Sequence, residues 1–137
     1  GDTLELRLGR GGHYEVGGAV AAVPVRFLVD TGATLTSIPQ ALGERIGIRA
    51  CPAIGGDLSR DSEPGCCRPE VFRTGNGTAE GCVARVLSIR FGAFELRNPR
   101  VAVMPGMDGQ ALLGMDVLRH FSLSQEGGRL RISRAAR

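Results

Sequence analysis

Residues 27–34 read Phe27-Leu28-Val29-Asp30-Thr31-Gly32-Ala33-Thr34: three bulky apolar side chains, then a carboxylate, a hydroxyl and a glycine. The apolar run reads as a strand that stops at Asp30. Asp, Thr and Gly are all turn formers, so a plain turn at a strand's end would account for the triplet taken alone. Its surroundings ask for more. A small residue, Ala33, and two further hydroxyls, Thr34 and Thr36, follow it, and a later stretch, Ala111-Leu112-Leu113-Gly114, repeats the ending of two apolar residues and a glycine. Each ending leads into a helical pattern, so two halves share one plan. The first half alone carries a carboxylate before its glycine.

Working outward, Leu4 to Leu8 alternates with period two and reads as a half-buried strand. His13 to Val16, a Gly17-Gly18 break and Ala19 to Val23 are expected as hairpin strands leading through Pro24 into Val25–Val29. Pro39 suits the first turn of a short helix with Leu42 and Ile46 on one face, closed by Gly47. From about Ala50 to Pro69 periodicity is lost, and a surface excursion or insertion, about 50–70, is expected within a single domain spanning 1–137. Val71 to Thr74, a Gly75-Asn76-Gly77 turn and Thr78 to Val86 form a second hairpin, Asn-Gly being a strong turn signal. Strands follow at Leu87–Phe91, Phe94–Leu96 and Arg100–Met104. Met115 to Phe121 has helical spacing, and Arg129 to Ser133 closes the chain as an alternating strand.

With 137 residues, 42% of them apolar, the chain supports one core and is short for two domains. All 17 basic residues are arginine, which points to a GC-rich bacterial genome. The net charge of +3 is spread along the chain without a basic arm or an aromatic stacking platform, which argues against nucleic acid as a partner. No apolar segment approaches the roughly 20 residues that span a bilayer. The chain opens at Gly1-Asp2 without methionine, as a domain cut from a longer chain would, so membrane attachment is expected only through an upstream segment. Four cysteines, Cys51, Cys66, Cys67 and Cys82, lack paired zinc-knuckle spacing. Disulfides, free thiols and a metal-linked structural module stay open; disulfides would imply an oxidising compartment such as a periplasm. His13 and His120 have no metal partners at useful spacing, and Gly9, Gly11 and Gly12 precede no helix, so no metal or cofactor is expected.

Phe27 to Ser37 together with Leu112 to Gly114 resembles the signature of aspartic proteases, specifically the single-lobed, retropepsin-like enzymes and their bacterial branch with an Asp-Thr-Gly-Ala motif. The resemblance runs from about His13 to Ser133 and leaves Cys51 to Pro69 outside it. It implies an all-β, closed acid-protease barrel with short helices, one lobe per chain, and Asp30 as the catalytic residue. Gly32 would allow close backbone approach to the site, and the Thr31 hydroxyl would bond across a dimer axis. Ala33 and Thr34 would border the substrate, with a turn hydroxyl an equally good account of Thr34. Thr74, Gly75, Asn76 and Gly77 fall where the family has its flap, although an ordinary hairpin fits them too. Ile38, Val83 and Leu112 are candidate walls of apolar pockets. Terminal strands of such enzymes commonly interleave between subunits, which makes Leu4–Leu8 and Leu130–Ile132 candidates for the interface or for a pairing within one chain. Bacterial relatives are often preceded by a membrane anchor, which places the expected address in the periplasm.

The chemistry needs two carboxylates. Water attacks an unactivated amide when a base takes its proton and an acid protonates the carbonyl oxygen, and a pair of carboxylates about 3 Å apart sharing one proton supplies both. One Asp-Thr-Gly is present, so the expected enzyme is a homodimer cleaving peptide or protein substrates between two copies of Asp30. The alternative expectation is a retropepsin-like domain that dimerises or binds peptides with little catalytic power.

Overall fold

The computed structural model describes residues 2–50, 65–74 and 77–134. These form β1 (Thr3–Arg7), β2 (Glu15–Val20), β3 (Val23–Val29), β4 (Ser37–Pro39), α1 (Gln40–Ile46), β5 (Arg49–Ala50), β6 (Cys66–Thr74), β7 (Gly77–Arg85), β8 (Ser88–Phe91), β9 (Phe94–Arg97), β10 (Arg100–Met104), β11 (Ala111–Leu113), α2 (Met115–Leu118), β12 (Phe121–Glu126) and β13 (Arg129–Arg134). One sheet has the order β5-β6-β7-β10-β4-β11-β3-β2-β8-β9, and a smaller one the order β1-β13-β12.

The centre of the large sheet realises the shared plan of the two halves. β3 runs parallel to β11, with Leu112 beside Leu28, and β10 runs parallel to β4, with Val103 beside Ile38. β4 and β11 meet antiparallel between them at Ser37 and Leu112. Each half therefore inserts its second strand beside the first strand of the other half, and the Asp30 turn and Gly114 emerge together. Phe27, Ile38, Ala111 and Leu113 have no exposed surface, which anchors this crossing in the core.

Three readings of the sequence are corrected here. Gly17 and Gly18 do not break a strand. They lie within β2, and a Cβ on Gly18 would stand 2.0 Å from the Arg90 carbonyl oxygen, so the glycine admits the β8 backbone. The chain turns instead at Ala21 and Ala22, both at positive φ (46° and 67°) between the paired residues Val20 and Val23. The second helix stops at Leu118, and Phe121–Glu126 forms a strand that turns through Gly127 and Gly128, at φ 57° and 73°, into β13. Finally, the barrel is not closed: β5 and β9 remain the edges of the large sheet among the described residues. The apolar face near β9 is covered by the small sheet, whose Phe121 ring lies 5.3 Å from Phe91 and 4.7 Å from Phe94.

The helix expected after Pro39 forms, capped by Gly47 at φ 92°. β6 begins at Cys66, inside the stretch expected as an excursion, and Cys66 and Cys67 are buried; Cys51 to Pro64 lie outside the described residues. The terminal strands pair within one chain, Leu4 with Ile132 and Leu6 with Leu130.

Candidate active site

Asp30 follows the last residue of β3, where the parallel pairing with β11 is still in force. Its amide donates to the Leu113 carbonyl at 3.0 Å, and its own carbonyl accepts from the Ala33 amide at 3.1 Å. The backbone is thus held on both sides of the Cα. The side chain accepts from the Gly32 amide through Oδ1 at 3.0 Å. A Cβ on Gly32 would come 3.3 Å from that oxygen, so glycine lets the turn fold this tightly over the carboxylate. Asp30 is half-buried, whereas Thr31, Gly32 and Thr34 are exposed and Ala33 is partly covered.

The rest of the turn is tied to the second half of the chain. The Met115 amide donates to the Ala33 carbonyl at 2.8 Å, and the Asp116 amide to the Thr34 carbonyl at 3.1 Å. Thr36, fully buried, donates to Asp116 Oδ1 through its amide (2.9 Å) and its hydroxyl (2.8 Å), and the Val117 amide donates to the same oxygen at 2.9 Å. The Thr36 hydroxyl in turn accepts from the Gly114 amide at 3.0 Å. Every group in this chain of bonds has a partner, and such a satisfied network fixes one arrangement of the turn. Gly114 is required by the crossing itself, since a Cβ there would meet the Leu35 carbonyl carbon at 2.7 Å.

Taken locally, Asp116 is a charge in the first turn of α2. It does stand in that turn and accept from Val117, but its larger partner is Thr36, 80 residues away. The repeated apolar-apolar-glycine pattern held the signal, because two turns that cross must be joined by their polar residues. Asp116 is committed to these donors, so the turn presents one carboxylate, that of Asp30.

The hairpin of β6 and β7 pairs from Cys67 with Ala84 out to Thr74 with Gly77, and a disulfide joins Cys67 to Cys82 across it. Cys66 is disulfide-bonded as well, and no described cysteine is free. This decides the cysteine question in favour of disulfides. Gly75, Asn76 and the Thr74 side chain lie outside the described residues. Of the three proposed pocket walls, Val83 and Leu112 are partly exposed, whereas Ile38 is fully buried in the core.

Residues 16–120 match the family described as "gag-polyprotein putative aspartyl protease". The chain belongs to that family of aspartic proteases. Its fold matches the crystal structure of a retropepsin-like aspartic protease from Rickettsia conorii with a TM-score of 0.67 and 22% identity, covering 96% of this chain and 89% of that one. The protease of EIAV, in complex with the inhibitor HBY-793, matches with a TM-score of 0.55 and 18% identity over 81% of this chain and 89% of its own. No curated protein matches the chain in sequence. The fold is therefore retropepsin-like despite its open sheet.

Proposed function

We propose that this retropepsin-like domain is an endopeptidase that acts as a homodimer, with water activated between the two Asp30 carboxylates. The observation that carries the reading is the fixed, half-buried Asp30 at the crossing of the two halves, in a turn whose backbone is tied to the second half of the chain through Leu113, Met115, Asp116 and Thr36. A single such carboxylate cannot serve as base and acid at once, and a symmetric partner supplies the second.

In this reading one Asp30 accepts a proton from water as its oxygen bonds to the peptide carbon, while the other, protonated, gives its proton to the carbonyl oxygen. The tetrahedral intermediate then collapses, the C–N bond breaks, and the amine leaves with a proton returned by the dyad. Thr31 and Gly32 support the two turns across the axis, and Ala33 and Thr34 border the peptide. Thr74, Gly75, Asn76 and Gly77 form the tip of a flap that closes over an extended substrate and excludes water. The disulfide that staples this hairpin supports an oxidising location, and a bacterial periplasm reached by an upstream anchor is the proposed address.

The test is cleavage of an unfolded protein at mildly acidic pH by wild type and Asp30→Asn. Asparagine keeps an oxygen able to accept from the Gly32 amide, so the variant should unfold at nearly the wild-type temperature while losing at least about 10³-fold in kcat. Equal activity of the two proteins would refute the mechanism. A folded wild type that dimerises or binds peptides without cleaving them would establish the binding-domain alternative instead.

A further inference from the structure

Behind the Asp30 turn lies a cavity that the proposed chemistry does not use. Its volume is about 370 Å³, and its lining includes Leu35, Arg85, Arg97, Arg100, Asp116 and Arg119. Four arginines thus border one cavity with a single carboxylate, and Asp116 Oδ1 is already occupied by Thr36 and Val117.

The arrangement of the arginines is unfavourable on its own terms. Arg85 on β7 and Arg100 on β10 stand directly opposite each other, and like charges at such a position weaken a strand pair. Arg85 donates Nη1 to the Asn98 carbonyl at 2.7 Å, which fixes its guanidinium, yet its Nε is buried without an acceptor among the described residues. Buried donors are rarely left so, because an unmade bond costs the full desolvation of the group. The carboxylate paired with Arg97 is Glu95, at 4.0 Å between two exposed side chains, a contact that does little to neutralise it. A bound anion would offset the like-charge contact of Arg85 and Arg100 and give Arg97 a closer counter-charge.

We propose that this cavity is an exosite for a run of acidic residues in the peptide substrate, a reading that rests on the endopeptidase function above. The guanidinium fork matches carboxylate oxygens two at a time, and four forks suit several carboxylates better than one. The space would hold on the order of ten waters at about 30 Å³ each, more than a lone small oxyanion fills. Leu35 and Asp116 belong both to the cavity wall and to the bonded segments around Asp30, so the cavity adjoins the turn that carries the proposed catalytic residue.

The first arm of the test needs no catalysis. Backbone amide shifts of the intact protein are followed at low salt during titration with acetylated tetraglutamate, with tetraglutamine and with inorganic phosphate. Tetraglutamate should shift Arg85, Arg97, Arg100 and Arg119 as a group, tetraglutamine should leave them unmoved, and Arg100→Gln should weaken binding at least about 5-fold. Shifts spread equally over remote arginines such as Arg7 and Arg45, or phosphate binding as tightly as tetraglutamate, would overturn the proposal. In the second arm, peptides share a cleavable core and carry a Glu-Glu pair at increasing distance from it. One spacing should lower KM about 5-fold or more, an advantage lost in Arg100→Gln and in Arg119→Gln with kcat unchanged. Cleavage indifferent to acidic residues would leave the peptidase standing and sink the exosite. Binding of tetraglutamate at the cavity without cleavage of any peptide would do the reverse, upholding the anion site and removing the peptidase.

Discussion

At the scale of single residues, Thr36 is the most informative position next to Asp30. Its hydroxyl both donates to Asp116 and accepts from the Gly114 amide, so it closes the link between the two turns. Thr36→Val preserves the shape and removes both bonds, leaving the buried Gly114 amide and one acceptor site on Asp116 unpaired. An unsatisfied buried group costs about 1–3 kcal/mol, so the variant should lose about 2–4 kcal/mol in urea unfolding, whereas Thr36→Ser should lose under about 1 kcal/mol. If valine were tolerated as well as serine, the network would not be what holds the turn. Asp30 could be singled out from the sequence because its motif is local, a carboxylate at a strand end beside a glycine. Thr36 and Asp116 could not be paired from the sequence, because what joins them is the crossing of strands 80 residues apart. Each has a sufficient local explanation as a turn hydroxyl or a helix-start carboxylate, and that local explanation hides the distant one.

Elements were legible where pattern and turn chemistry agreed. Val25 to Val29, the helix after Pro39 with its Gly47 cap and the β6–β7 hairpin formed about where apolar runs and Gly or Pro boundaries placed them. Where they disagreed, packing won. Gly17-Gly18 is the stronger turn signal, yet the β8 carbonyl at Arg90 needs that space, and the turn falls on two alanines in the left-handed region. β12 escaped notice because Ser122, Ser124 and Gln125 give its alternation weak apolar contrast, and its pairing with β13 is long-range information. The alanine turn carries a prediction. A non-glycine residue in the left-handed conformation costs about 1–2 kcal/mol, partly offset in glycine by its greater unfolded-state freedom. Ala22→Gly should therefore stabilise the domain by about 0.5–1 kcal/mol, seen as a rise of a few degrees in Tm. A fall in Tm would mean that the Ala22 methyl makes contacts worth more than the strain it bears.

For the whole molecule the decisive quantity is the number of Asp30 carboxylates in the working unit. β1, β13 and β12 pair within one chain, and among the described residues β1 and β12 are the edges of that sheet, which another copy can pair with. If the proposed dimer assembles by such edge contact, it is reversible without unfolding, and subunit exchange is then a usable probe. Wild type mixed with an equal amount of Asp30→Asn, at concentrations where both are dimeric, should redistribute until about a quarter of all dimers carry two aspartates and about half carry one. If a dimer needs both carboxylates, activity per wild-type chain falls to about one half on mixing, and continues to fall as the variant is added in excess. If each chain worked alone, activity per wild-type chain would not change. The mixing experiment also separates the proposed chemistry from simple instability, because the variant inhibits here only by being folded well enough to pair.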